Sequence, residues 1–335
     1  MTRPNRPLSL ALATALMGVA LIPLSTAALA KELKMGLITP PQHVWTQAAR
    51  QFADRVETDS EGDLTVAIFP AGQLGDEPAM FSQMQSGLLD MGIMTAAITS
   101  LREPSVVGWF TPFLFDSVDE AEQAARTQAA QQMLTNLGDK GLHAFGYTFA
   151  GMRHVLMRDT AVTELDDVDN RKIRIIPIPA MQTWWNAAGA TPTPVHLPEV
   201  YQSLQSKMID GVDIDLDALV GSGFYEVADH LTLTNHMAFP AISMVSDTTW
   251  DSLSDEERRI VETAMQSALS WANQSQIQAE QDNRAFLEER IDVQVLNDAE
   301  SVFAEANAAF DDTFSGNPLI SRFQEQVAEQ QGGAQ

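Results

Sequence analysis

Strand and helix patterns alternate through the first two thirds of the chain, and nothing else in the sequence restricts the fold so sharply. After residue 30, ELKMGLI alternates apolar and polar residues. Thr39-Pro40-Pro41 breaks it, and HVWTQAARQFADRVETDS continues with apolar residues at helical spacing. DLTVAIFP reads as a second strand, EPAMFSQMQSGLLD as a helix and MGIMTAAI as a third strand. A helical stretch, SVDEAEQAARTQAAQQMLTNLGDKG, leads into the strand LHAFGYTF. The pattern then restarts with the strand RKIRIIPIP, the helix AMQTWWNAAG, the short strand ATPTPVH, the helix EVYQSLQSKM and the strand IDGVDI. Such alternation builds parallel or mixed sheets covered by helices, an α/β fold. Two units in tandem imply two lobes, with a ligand crevice between them at the carboxyl ends of the strands.

The last third differs. Ser254-Asp255-Glu256-Glu257 has the form of a capping box, and the helix-forming run it opens meets neither Gly nor Pro before Ile291. About 35 residues at 1.5 Å each span about 50 Å, more than one small domain needs, so a strut crossing both lobes is expected.

Residues 1–30 read as an export leader. Arg3 and Arg6 precede the apolar run LSLALATALMGVALIPL, and Ala28-Leu29-Ala30 forms an A-x-A cleavage site. Pro23 and Ser25 interrupt the run, which falls short of the roughly twenty apolar residues of a membrane span. Cleavage after Ala30 and a soluble, exported, periplasmic product are expected. The chain has no cysteine, so neither a disulfide nor thiolate chemistry is available, and its 45 acidic residues outnumber 20 basic ones for a formal net charge of −25. That field repels nucleic acid and anionic lipid. The acids are scattered and 45% of residues are hydrophobic, which describes a folded chain with an acidic surface.

Familiar catalytic signatures are missing: there is no P-loop, no G-x-G-x-x-G after a strand and no H-E-x-x-H. Asp213, Asp215 and Asp217 have the spacing of the first three ligands of a calcium loop, but Ala218 and Phe224 stand where its glycine and glutamate belong. Asp215 or Asp217 is expected instead to cap the following helix. Arg174 is the sharper anomaly. It sits inside the apolar strand RKIRIIPIP, where alternation turns it away from Ile173 and Ile175, and burying an unpaired cation is costly. A guanidinium offers two parallel donors to a carboxylate. Either a protein acid pairs with it or a ligand does, and the same alternatives apply to Arg153 in AGMRHVL. Trp184 and Trp185 point about 100° apart on their helix, so one of them, Trp184 being the candidate, is expected to line a cleft.

On these motifs the sequence resembles the extracytoplasmic solute receptors of tripartite ATP-independent periplasmic (TRAP) transporters, in the dicarboxylate-receptor family. The resemblance runs over essentially all of the chain after the leader. Its most specific parts are FPAGQLGDEPAMFSQMQSGLLDMGI, AGMRHVLMR, the segment from Arg171 to His236, and the long helix after Ser254. It implies a two-lobed solute-binding fold with crossing strands and one long helix spanning both lobes. Residues 31–152 and 241–282 are then expected in the first lobe, and 153–240 and 283–335 in the second.

The resemblance further implies that Arg174 binds a ligand carboxylate bidentately, assisted by Arg153, and that a small organic acid is delivered to membrane permease subunits. No catalysis, cofactor, metal or nucleic acid is expected, and the receptor is expected to act as a monomer. Where the family commonly reads D-G-Q-E-N-P, this chain has Asp210-Gly211-Val212-Asp213-Ile214-Asp215, so a ligand-bonding asparagine is replaced by Ile214. If Asp213 or Asp215 faces the cleft, an amine-bearing or zwitterionic solute becomes the alternative. From the first lobe, Thr39, His43 and Thr95 are expected to reach the ligand. A secreted hydrolase is the remote alternative, for nothing in the spacing of the acids selects a catalytic pair.

Overall fold

The computed structural model describes residues 1–2 and 30–333; the leader expected over 1–30 lies almost wholly outside the described residues. Among these residues, eleven strands form two sheets. They are β1 (Lys31–Leu37), β2 (Leu64–Phe69), β3 (Met91–Thr95), β4 (Leu142–Met152), β5 (His154–Met157), β6 (Lys172–Ile175), β7 (Thr191–Pro194), β8 (Gly211–Ile214), β9 (His230–Leu233), β10 (Ala238–Ser246) and β11 (Asp292–Val295). The first sheet has the order β2-β1-β3-β10-β4 and the second β11-β9-β5-β8-β6-β7. In the first, β1 runs parallel to β2 and β3, while β10 is antiparallel to both its neighbours. In the second, β6 is parallel to β7 and β8, and β5 is antiparallel to β8 and β9.

The lobes are joined where strands change sheet. β4 ends in the first sheet at Met152 and β5 begins in the second at His154, so a single residue, Arg153, makes the crossing. The return crossing runs from β9 to β10. The two crossings pair: Arg153 N donates to Met237 O at 2.7 Å, and His236 N to Arg153 O at 3.3 Å.

The strut is the 34-residue helix Asp255–Glu288, opened by the reciprocal Ser254–Glu257 capping box. Leu269 and Ala272 belong to a large core that fills the first lobe and continues to Val155, Ile173 and Ile175 of the second sheet, and Leu287 to a separate core with Leu156, Val212 and Ile214 of that sheet. The helix also covers a vulnerable edge. β4 is the last strand of its sheet, and amide side chains of the helix reach its backbone: Gln266 to Phe145 O at 2.9 Å and Gln276 to Ala150 O at 2.7 Å. At the end of the strand, Met152 N donates to Glu280 Oε1 at 2.7 Å. Buried backbone groups need partners, and here helix side chains supply what a further strand would have supplied. Gly151 has φ +124°, and a Cβ there would stand 2.6 Å from Glu280 Oε1, so the crossing requires glycine.

Three details depart from the sequence reading. The stretch expected as one helix before β4 is two, Val118–Ala124 and Gln128–Thr135, because Thr127 caps the second through the N–H of Ala130. The third strand stops at Thr95, whose hydroxyl caps the short helix Ala96–Ser100. The C-terminal helix Pro318–Gly333 does not stay with the second lobe, where residues 283–335 were expected. Phe323 packs 4.6 Å from the ring of Trp109, and Gln326 and Gln324 bond Ala129 and Thr111, all of the first lobe. The apolar side of that helix, Ile320, Phe323 and Val327, finds its burial there.

Candidate functional site

Between the lobes lies a cavity whose space between atoms, its opening to solvent included, amounts to about 480 Å³. Thr39, His43, Trp45, Glu77 and Thr95 line it from the first lobe, Arg174, His196, Ile214 and Asp215 from the second, and Arg153 from the crossing.

Arg174 reaches this cavity because it shares a face of the second sheet with Val212, its partner in the β6–β8 register, and so with Ile214. Its guanidinium is buried. Nε donates to Val195 O at 2.8 Å and Nη1 lies 3.5 Å from Asp213 O. Among the described residues no carboxylate lies within ion-pair distance of it. Burial, and then the neighbouring Arg153 charge, push its pKa down to about 9, so it remains protonated at neutral pH.

Arg153 is in the opposite situation. Nε bonds Asp213 Oδ1 at 2.5 Å, Nη1 bonds Asp215 Oδ2 at 3.3 Å, Nη2 bonds the Asp213 carbonyl, and the guanidinium stands 4.4 Å from the centre of the Phe239 ring. Asp213 does not line the cavity, which corrects the expectation that it faces a ligand. Alternation along β8 turns it away from Ile214, towards Trp185 Nε1 at 2.7 Å and His236 Nε2 at 3.2 Å. Burial alone would raise its pKa, but Arg153, His236 and these hydrogen bonds prevail and hold it well below the carboxylate range.

Asp215 does reach the wall, but its oxygens are engaged: Oδ1 accepts from Ala218 N at 2.8 Å, capping Leu216–Gly221, and Oδ2 accepts from Arg153. His43 caps the first helix, Val44–Asp59, through Nδ1 and Trp45 N, with Nε2 4.0 Å from Asp215 Oδ1. Thr39 bonds Thr46 at 2.8 Å. Trp184 is the second correction. It stacks on His236, bonds Asn307 and touches Phe303, away from the cavity. Both tryptophans are buried because the helix Ala304–Phe314 covers the side of their own helix that the second sheet leaves bare.

Sequence reasoning missed Glu77 and His196. Glu77 follows Asp76, the N-cap of the helix Glu77–Gln85, and an acid there reads as ordinary helix chemistry. Its carboxylate instead turns inward, accepting from Thr95 N at 2.8 Å and Thr95 Oγ1 at 3.0 Å. Burial raises its pKa to about 7 against the opposing effects of Thr95 and Arg174.

Comparison with known proteins agrees with this architecture. The family model for "Bacterial extracellular solute-binding protein, family 7" matches residues 35–315. The ectoine-binding periplasmic protein TeaA of Halomonas elongata is 30% identical over 260 residues, 77% of this chain and 75% of that protein. A TRAP periplasmic solute-binding protein of Polaromonas, solved with D-erythronate, is 25% identical, with a TM-score of 0.81 over 88% of this chain and 98% of its own. The sugar acid-binding protein DctPAm of Advenella mimigardefordensis, solved with galactonate, has a TM-score of 0.85 at 22% identity and covers 90% of this chain and 98% of its own. With a family model spanning both lobes and the crossings between them, the chain belongs to the family 7 extracellular solute-binding proteins, the receptors of TRAP transporters.

Proposed function

We propose that the protein is the extracytoplasmic receptor of a TRAP transporter, capturing a small organic acid, either a sugar acid or a short carboxylate. The observation that carries this is Arg174: a buried guanidinium, with no acid paired to it among the described residues, on the wall of an inter-lobe cavity. A ligand carboxylate there completes two charge-assisted bonds. Arg153 holds the crossing rigid beside it, while Thr39, His43, Thr95 and Asp215 frame the remaining wall. D-erythronate in the Polaromonas relative and galactonate in the Advenella relative are acids of this kind.

The chain acts by closure and release, without catalysis, as an exported monomer that passes its solute to membrane permease subunits. No described helix is long and apolar enough to cross a membrane. A zwitterionic solute is the second reading, supported by Asp215 at the wall and by the ectoine-binding relative.

Titration calorimetry with D-erythronate, D-gluconate and D-glucuronate tests the proposal. Binding is expected, with a loss of about 2–5 kcal/mol in Arg174→Ala. Binding unchanged in that variant overturns it.

A further inference from the structure

The inter-lobe cavity draws its charged groups unequally from the two lobes.

Two arginines reach that cavity, and one of them is already spent. Arg153 faces the carboxylates of both Asp213 and Asp215. Among the described residues Arg174 is thus the one arginine of the wall left for a solute, and Glu77 comes from the other lobe to the same space without pairing with it within 4.0 Å. The groups around Glu77 are Thr95, its bonding partner on β3, Asp76 beside it on the helix, and Arg174, Arg153, Asp215, His43 and His196 in the cavity walls.

We propose that this receptor is selective for solutes with one carboxylate and a hydrogen-bond donor at the other end, and that Glu77 excludes a second carboxylate. This rests on the carboxylate reading of Arg174. A solute hydroxyl can donate to the Glu77 oxygens, each of which keeps a lone pair beyond its bond to Thr95. The indole Nε1 of Trp45, a wall residue, has no partner among the described residues and is a donor available to a hydroxyl oxygen. A second carboxylate meets a carboxyl group and no further arginine, and an anion buried without a cation is strongly disfavoured. Protonation would relieve the clash, and the raised pKa of Glu77 shows that its surroundings already favour the neutral form. Exclusion is therefore stronger at pH 8 than at pH 6.

Open-chain pairs with the same carbon skeleton separate charge from shape: D-galactonate against galactarate, and D-gluconate against glucarate. Calorimetry on the mature chain at pH 8 is expected to show each monocarboxylate bound at least about 100-fold more tightly than its diacid. Glu77→Gln, which keeps shape and removes charge, should narrow that ratio at least tenfold while the thermal midpoint is maintained. Equal binding of the diacids by the wild type, or an unchanged ratio in Glu77→Gln, overturns the selectivity. If Arg174→Ala still abolishes binding, the carboxylate reading survives that result. Absence of binding by every acid in the panel removes both.

Discussion

Asp217 Oδ2, on the second lobe, accepts the backbone N–H of Val44, on the first, at 2.8 Å. The carboxylate supplies a partner to one of the free N–H groups opening the helix Val44–Asp59 and lies favourably at the positive end of that helix. The bond spans the cleft, so it exists only while the lobes are shut. Asp217→Ala is expected to weaken solute binding by about 1–2 kcal/mol, roughly 5- to 30-fold, through faster release. Stopped-flow dissociation measures it, and an unchanged release rate would show that the bond does not hold the cleft closed.

The two buried arginines should respond oppositely to mutation. Asp213→Ala leaves Arg153 without the nearer of its two carboxylate partners and is expected to cost about 3–5 kcal/mol of stability. Arg174→Ala removes a buried charge whose partners among the described residues are carbonyls, so the solute-free protein should be no less stable than the wild type. Chemical denaturation of both variants without solute gives the comparison.

Trp184 belongs to the core. Trp184→Ala is expected to lower stability by about 3–5 kcal/mol while leaving the affinity of the folded fraction within a few-fold of wild type. Calorimetry well below the thermal midpoint distinguishes this from a ligand contact, whose loss would reduce affinity directly.

Stability should also vary with pH in a defined direction. Glu77 and Glu280 are raised by burial to about 7, so between the ordinary carboxylate pKa and pH 7 the folded state holds more protons than the unfolded one. Each therefore contributes less stability as pH rises through that window, up to about 3 kcal/mol for the buried Glu77 and less for the half-buried Glu280. His154, lowered by burial to about 3, acts the other way, losing stability as pH falls from 6.5. Two groups against one predict a net gain from pH 8 down to pH 5, measured by urea unfolding. Replacing both glutamates by glutamine should abolish the gain.

Much of the fold was legible because it depends on periodicity. The strand–helix alternation, the capping box at Ser254 and the uninterrupted run behind it required only local pattern, and the structure has two sheets and a 34-residue strut. Arg174 was visible for the same reason, since one charge in an apolar strand breaks a simple rule. Six of the eight residues singled out line the cavity: Arg174, Arg153, Asp215, Thr39, His43 and Thr95. Trp184 was misread because the covering helix is more than a hundred residues away along the chain. Glu77 went unremarked because a first-turn acid has an ordinary reading, and only packing against Thr95 shows that it points inward.

By itself, then, the sequence determined the kind of elements, their order, the two-lobed plan and the presence of one unexplained internal cation, because propensity and spacing act over a few residues. Only the tertiary structure decided which arginine is neutralised and which is left for a solute. That depends on the side of β8 to which Asp213 and Ile214 turn, and on which acids the crossing brings to Arg153. Pairing energies of buried charges fall off over a few ångströms, and proximity on that scale between residues 60 positions apart is created by the fold alone.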